Sequence, residues 1–184
     1  MKKQIITACL YTLITAVLLG VAYPLAVTGT ARLFFRDKAD GQLVRRNGEV
    51  VGSQIIGQPF TGPAYFHSRP SAAGTGYDAA NSAGSNLGPS SKALMDRVSA
   101  SVQAEGHGEP VPVDLITASA SGLDPHISPA AAFYQVSRVA KERHMSETAL
   151  HDVVNKSIIP RQFGLLGEPR VNVLQLNLAL DALR

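Results

Sequence analysis

IITACLYTLITAVLLGVAYPLAV, residues 5–27, is the stretch that decides how this chain is organised, because it is almost continuously apolar and carries no charge. No charged residue occurs from Gln4 to Ala31. About 20 such residues cross a bilayer as a helix, so the run is long enough to span. Lys2 and Lys3 precede it, Arg32 and Arg36 follow it, and Pro24 is placed to bend it. Membrane helices tolerate such a proline better than soluble ones. A cleaved signal peptide shares the basic start, but its apolar region runs only about 7–15 residues before a small-residue site. This run continues past Gly20 through Tyr23, Leu25 and Val27, which favours a retained span. Long domains translocate largely regardless of their charge, so the short Lys2-Lys3 tail sets the orientation and stays in the cytoplasm. The expected organisation is a cytoplasmic tail over 1–4, a transmembrane helix over 5–31 and a periplasmic domain over 32–184, in a bacterial inner membrane.

The composition narrows what the soluble part can be. Of the 184 residues, 17 are Lys or Arg and 14 are Asp or Glu, a net charge of +3. Two of those lysines precede the span, so the rest is nearly neutral. Arg45, Arg69, Arg97, Arg138, Arg161 and Arg170 are scattered rather than gathered on one stripe, and a nucleic-acid partner is excluded. Cys9 is the only cysteine and lies in the apolar run, so the domain has neither a disulfide nor a thiolate metal site. A domain of this size needs no such staples.

Outward from the span, Leu43-Val44-Arg45-Arg46 and Glu49-Val50-Val51 flank Asn47-Gly48, the strongest short hairpin signal. Residues 57–89 are rich in Gly, Pro, Ser, Ala and Asn yet carry Phe60, Tyr65, Phe66 and Tyr77. That is too aromatic for a linker and too broken for a helix, so an ordered irregular segment is expected. Ser90 or Ser91 caps a helix to about Glu105 with Leu94, Val98 and Val102 on one face. A break follows from His107 to Pro112, then a short buried strand over Val113 to Thr117. Ser128-Pro129 opens a helix to about His144 with Phe133, Val136 and Ala140 inward. Ser146 caps another carrying Leu150, Val153 and Val154. Asn172 with Gln175 starts a last one with Val173, Leu176, Leu180 and Leu183 on a stripe. The fold class is α+β: one N-terminal transmembrane helix, then a small mixed domain with long ordered loops.

The chemistry is sparse. There is no phosphate-cradling P-loop and no H-E-x-x-H. No lysine beyond Lys3 has a serine three residues before it, and Ala118-Ser119-Ala120-Ser121-Gly122 lacks the first glycine of a nucleophile elbow. No catalytic residue and no metal or cofactor motif is expected in this chain. Two small-residue loops stand out, 82–90 and 117–129. In the first, Ser85, Asn86, Leu87 and Gly88 either close a turn or present a surface for close contact with another protein. In the second, Ser119, Ser121, Gly122, Asp124 and His126 are the corresponding contact candidates. Asp124 can accept backbone amides or orient His126, and an Asp-His pair of this kind is more often structural than catalytic. His67 and Arg69 read as loop-fixing groups. The rival reading is a membrane-tethered periplasmic hydrolase using Ser119 or Ser121 with His126 and Asp124.

Gly57-Gln58-Pro59-Phe60, then Tyr65-Phe66-His67-Ser68-Arg69-Pro70-Ser71, Ser85-Asn86-Leu87-Gly88-Pro89, the stretch from Asp114 to Pro129, and Gly167-Glu168-Pro169-Arg170-Val171-Asn172-Val173-Leu174 follow the span in that order. Together they resemble the C subunit of the bacterial Kdp potassium-transporting ATPase over nearly the whole chain. Ala83-Gly84 and Ala118-Ser119-Ala120 stand where that family has more glycine, small residues in place of smaller ones. The resemblance implies an accessory, non-catalytic subunit of a high-affinity ATP-driven potassium pump in the inner membrane. Its partners would be a channel-like potassium-binding subunit, a P-type ATPase subunit and a small single-span subunit, beside the lipid bilayer. It also implies a chaperone-like role that raises the ATP affinity of the pump subunit, with ATP and K+ used by the complex. A periplasmic domain cannot touch cytoplasmic ATP, so that effect would travel through the membrane subunits as a coupling free energy.

Overall fold

The computed structural model describes residues 1–106 and 108–183. The expected break from His107 to Pro112 therefore begins on a residue outside the described set, as does the final Arg184. The chain divides into two compact units, the first ending at Leu43 and the second starting at Val44.

The first unit is a helix in two parts, α1 (Lys2–Val17) and α2 (Tyr23–Phe34), joined by a π-helical turn at Leu18–Ala22. The proline explains the turn. Pro24 has no N–H for the carbonyl four residues back and its ring crowds that carbonyl, so the preceding turn widens. The Tyr23 N–H accordingly donates to Leu18 O, five residues back. The helix from Lys2 to Phe34 is 33 residues long, about 50 Å at 1.5 Å per residue, which exceeds a bilayer's hydrocarbon core. Its apolar side chains are exposed all round. Two of its threonine hydroxyls are bonded within the helix, Thr15 to Tyr11 O and Thr30 to Ala26 O, both at 2.8 Å, which suits a segment in lipid. A short α3 (Arg36–Ala39) follows.

The second unit opens with the expected hairpin, β1 (Leu43–Arg46) and β2 (Glu49–Ser53). Asn47 and Gly48 both have positive φ, 53° and 86°, as a two-residue turn with type I′ twist demands. No regular helix or strand follows until α4 (Lys92–Glu105), yet the intervening chain is ordered and Phe66 and Ala73 are fully buried in it. α5 (Val113–Ile116), β3 (His126–Ile127), α6 (Pro129–Tyr134), α7 (Val136–Arg143), α8 (Glu147–Ser157), β4 (Ile158–Ile159), β5 (Arg170–Asn172) and α9 (Val173–Asp181) complete it. β5 lies between β3 and β4, antiparallel to both, with His126 opposite Asn172 and Ile158 opposite Val171. The core joins Phe66, Leu115 and Ile127 to Val136, Val139, Leu150, Val154, Val171, Leu176 and Leu180.

The architecture is α+β, and three capping signals work as read. Ser128 accepts from the Ala131 N–H, Ser146 from Ala149 and Asn172 from Gln175. Several local expectations are corrected. Val113 to Thr117 is a helical turn rather than a strand, with Val113 exposed and Leu115 buried; five residues are too few for periodicity to separate the two. The helix after Ser128 breaks at Gln135 into α6 and α7. In α4, Ser91 occupies the cap position without a side-chain bond, and Val102 faces solvent, so the packed face is Leu94, Arg97, Val98 and Ser101. Leu183 is also exposed.

Two buried carboxamides pin the irregular segment to the helices. Asn177 Oδ1 accepts from Phe66 N and its Nδ2 donates to Phe66 O, each at 2.9 Å. Gln135 Oε1 accepts from His67 N at 2.6 Å, while its Nε2 donates to His67 O at 3.3 Å and to Ala131 O. Asn177→Ala leaves the Phe66 N–H and C=O unpaired in the core, and should cost about 2–4 kcal/mol. Urea unfolding of the full chain in detergent, followed by circular dichroism, measures it; the exposed Leu183→Ala control should stay within about 0.5 kcal/mol.

Candidate functional site

Two loops far apart in sequence are stacked against one another in the second unit. Gly122 has φ +67°, which favours glycine, and a Cβ there would stand 2.5 Å from Ala83 O and 2.7 Å from Ala73 N. At Gly84 the same atom would stand 2.9 Å from Ala120 O. The backbones approach so closely that only glycine fits at these points. The three carbonyls that follow Ala120 are held in sequence: Ser121 O by the Ser82 hydroxyl at 2.9 Å, Gly122 O by the Ser71 hydroxyl at 2.6 Å, and Leu123 O by the Gly57 N–H at 2.7 Å. Ser71 Oγ also accepts from the N–H groups of Ala73 and Tyr77, so one hydroxyl organises the bend over 71–77. The Tyr77 hydroxyl donates to Arg69 O, and burial pushes that phenol up, partly offset by its contact with Ser68.

Arg69 is the electrostatic centre. Its guanidinium lies 3.6 Å from Asp114 Oδ1 and 3.5 Å from Asp124 Oδ2, and it reaches the carbonyl and hydroxyl of Thr117 at 3.4 and 3.3 Å. The helical turn of α5 makes this possible, since it turns Asp114 toward both Arg69 and the Ser128 N–H, 2.8 Å away. Asp124 Oδ1 accepts from the His126 N–H at 3.0 Å and lies 3.5 Å from His126 Nδ1. Desolvation alone would raise the Asp124 carboxyl. The hydrogen bonds and charge of His126, with the Arg69 charge, outweigh it and hold the carboxyl below its ordinary value. A shallow cleft of about 400 Å³ opens beside Arg69, Asp114, Asp124, His126 and Arg170.

Asp124 thus does both things the sequence allowed it: it accepts a backbone amide and orients His126. The hydrolase alternative finds no support. His126 meets Asp124, whereas Ser119 Oγ lies 3.3 Å from Ser121 Oγ, and Ser121 Oγ accepts from the Leu123 N–H. Among the described residues no hydrogen bond joins either serine to the imidazole, and no group of three His, Cys, Asp or Glu is placed to hold a metal. In the other loop Asn86 adopts a positive φ of 52° and is exposed with Gly88, while Ser85 and Leu87 are half-buried. His67, read as a fixing group, is one: Nδ1 contacts Glu105 at 2.8 Å and Nε2 meets Gly62 O at 3.1 Å. Nothing in a short polar-apolar string reveals the roles of Asp114 and Ser71. Gln135 and Asn177 carried a usable signal, because each puts an amide on an otherwise apolar helix face.

These features define an anchored domain that presents a preformed, small-residue surface around a partly neutralised carboxylate pair, with no nucleophile–base pair among the groups that build it. Residues 5–182 match the family described as K+-transporting ATPase, c chain. The chain is 62% identical to the potassium-transporting ATPase KdpC subunit of Koribacter versatilis, covering 98% of this chain and 95% of that one. It is 58% identical to the KdpC subunit of Acidobacterium capsulatum, over 95% and 96% of the two chains, and 52% identical to that of Methylobacterium nodulans, over 100% and 96%. The chain belongs to the KdpC family of potassium-transporting ATPase subunits.

Two measurements check the geometry. Gly122→Ala should lose about 2–4 kcal/mol of unfolding free energy, because a Cβ at positive φ meets backbone on two sides. Asp124 has a folded-state pKa below its unfolded one, so its contribution is present above roughly pH 4 and lost as pH falls through the lower folded value. The stability gap between the native chain and Asp124→Asn should therefore shrink between about pH 6 and about pH 3.

Proposed function

We propose that the chain acts as a non-catalytic accessory subunit of an inner-membrane potassium pump, working by contact from the periplasmic side. The stacked loops carry this reading: 82–90 and 117–129 form one surface whose backbones are fixed before any partner arrives. A surface made of Ser, Gly and Ala lets a partner's backbone come close, and preorganisation spares the ordering cost of binding. Ser85, Asn86, Leu87, Gly88, Ser119, Ser121, Asp124 and His126 are its contact residues, whereas Gly122, expected among them, is buried against Ala73 and Ala83 and shapes the surface from beneath. Arg69 offsets one of the two carboxylate charges and is shared between them, so the cluster has less net charge to desolvate than the bare pair would.

The relatives named as KdpC subunits support membership of a K+-transporting ATPase complex. The partners are a channel-like potassium-binding subunit, a P-type ATPase subunit and a small single-span subunit; ATP and K+ are handled by them. Lys2 and Lys3 keep the N-terminus in the cytoplasm. Any rise in the pump's ATP affinity is then a coupling free energy relayed through the membrane, typically about 1–3 kcal/mol.

Alkaline phosphatase fused to the C-terminus should be active; activity of a cytoplasmic reporter there instead would reverse the topology. Ser85→Phe and Ser121→Phe should weaken co-purification with the channel-like subunit while shifting the melting of the folded chain little. Ser119→Ala and His126→Ala should leave the turnover of an intact complex, at saturating ATP and K+, within a few-fold. Loss of a general base would cost on the order of 100-fold or more.

A further inference from the structure

The second unit carries one strongly apolar protrusion that the loop surface does not use. Between β4 and β5 the chain makes a tight reversal, with Gln162 bridged antiparallel to Leu166 and Gln162 N donating to Leu166 O at 2.9 Å. Phe163 and Gly164 close it at φ 54° and 74°, and Gly167 at φ 75° turns the chain back toward β5. This geometry fixes the side chains outward: Phe163 is 85% exposed, Leu165 81% and Leu166 60%. Three large apolar side chains on one convex tip, with nothing of this chain over them, are too much for a surface that faces only water. An ion pair at the base, Arg161 to Glu168 at 2.5 Å, fastens the stem, and Arg170 and Lys156 are exposed close by in sequence. Lys156, Arg161 and Arg170 outnumber Glu168, so the region from 156 to 170 is net basic.

We propose that the tip formed by Phe163, Leu165 and Leu166 inserts shallowly into the surface of the bilayer that this chain's own helix spans. The inference rests on the anchored reading. The apolar helix ends at Phe34 and the second unit starts at Val44, a covalent link of about ten residues that reaches at most roughly 35 Å, so a lipid surface is permanently at high effective concentration. A bilayer interface takes a convex apolar knob without needing a complementary pocket. Phe and Leu enter the acyl boundary while Arg and Lys beside them stay at the headgroups, where anionic lipid attracts them. The tip is prefolded, with both its bridge and its positive-φ residues set, and inserts without an ordering cost. Insertion gives the domain a second hold on the membrane beside its tether, which restricts its swing relative to the partners in the same bilayer.

The chain contains no tryptophan, so Phe163→Trp supplies a single reporter. Full-length F163W is reconstituted in nanodiscs of phosphatidylcholine, with and without phosphatidylglycerol, and its emission is compared with that of M95W, a reporter on the exposed side of α4. Insertion predicts blue-shifted emission from Trp at 163, quenching by lipids brominated near the headgroup several-fold stronger than at position 95, and a gain on adding phosphatidylglycerol. Adding Leu165→Glu and Leu166→Glu should abolish the blue shift and the quenching while leaving the circular dichroism unchanged. Water-like, unquenched emission in the nanodisc, or equal quenching at both positions, overturns the proposal. Emission that turns blue only when the other pump subunits are present, still without lipid quenching, also overturns it and gives the tip to a protein partner. A reversed topology in the reporter fusions would refute the periplasmic assignment without touching this result, which reads only whether the tip meets lipid.

Discussion

Everything in the second unit depends on the seating of two backbone residues, Phe66 and His67. The segment from Gly57 to Pro89 forms no ladder or helix of its own, yet it passes through the core, where each buried N–H and C=O must be paired. Asn177 from α9 and Gln135 from the α6–α7 junction satisfy four of these groups. Once they are engaged, the Phe66 ring is committed to the apolar space among the helices. The chain leaving it delivers Ser68, Arg69 and Ser71 within a few residues of one another. Ser68 then donates to Gln58 O, Arg69 meets two carboxylates, and Ser71 meets Gly122 O. Side-chain amides here do the work that strand pairing does in a regular sheet.

The same constraint shapes the surface. A loop whose carbonyls are held by Ser82, Ser71 and Gly57 cannot relax, so its glycines are required by backbone proximity rather than by flexibility. Arg69 keeps the Asp114 and Asp124 charges from repelling across the gap, and the two carboxylates in turn hold the start of β3 and the entry to α6 through His126 and Ser128. The groups that look reactive in the sequence are each engaged in this framework. That is what the proposed contact role requires. It is also consistent with identities above 50% to KdpC subunits along nearly the full length, since both the pinned loops and the helices that pin them are built from residues distant in the chain.

The membrane helix and the domain obey different solvents, and their chemistry shows it. In the helix, threonine hydroxyls turn back on their own carbonyls and a proline is absorbed by a π-helical turn. In the domain, polar side chains reach across tens of residues to other segments, as Asn172 does to Gln54 O and Arg138 to Pro63 O and Tyr65 O.

By itself the sequence determined the long apolar helix, the Asn47-Gly48 hairpin, the capped starts at Ser128, Ser146 and Asn172, and the ordered character of 57–89, because each rests on interactions within a few residues. Hydrophobic length, the positive φ of a two-residue turn and a side chain bonding to the amide three residues on are all local. The recurrence of loop motifs in order was legible too, and it carried the family. Only the tertiary structure decided that Val113 to Ile116 is helical, that two- and three-residue strands pair as β3-β5-β4, and that Arg69 joins Asp114 to Asp124. Strands this short leave no period to read, and a five-residue segment such as Val113 to Thr117 fits helix and strand equally. Arg69 is 45 residues from Asp114 and 55 from Asp124 in the chain. What brings them together is the packing of Phe66 and the two buried amides, a non-local result that no window of sequence contains.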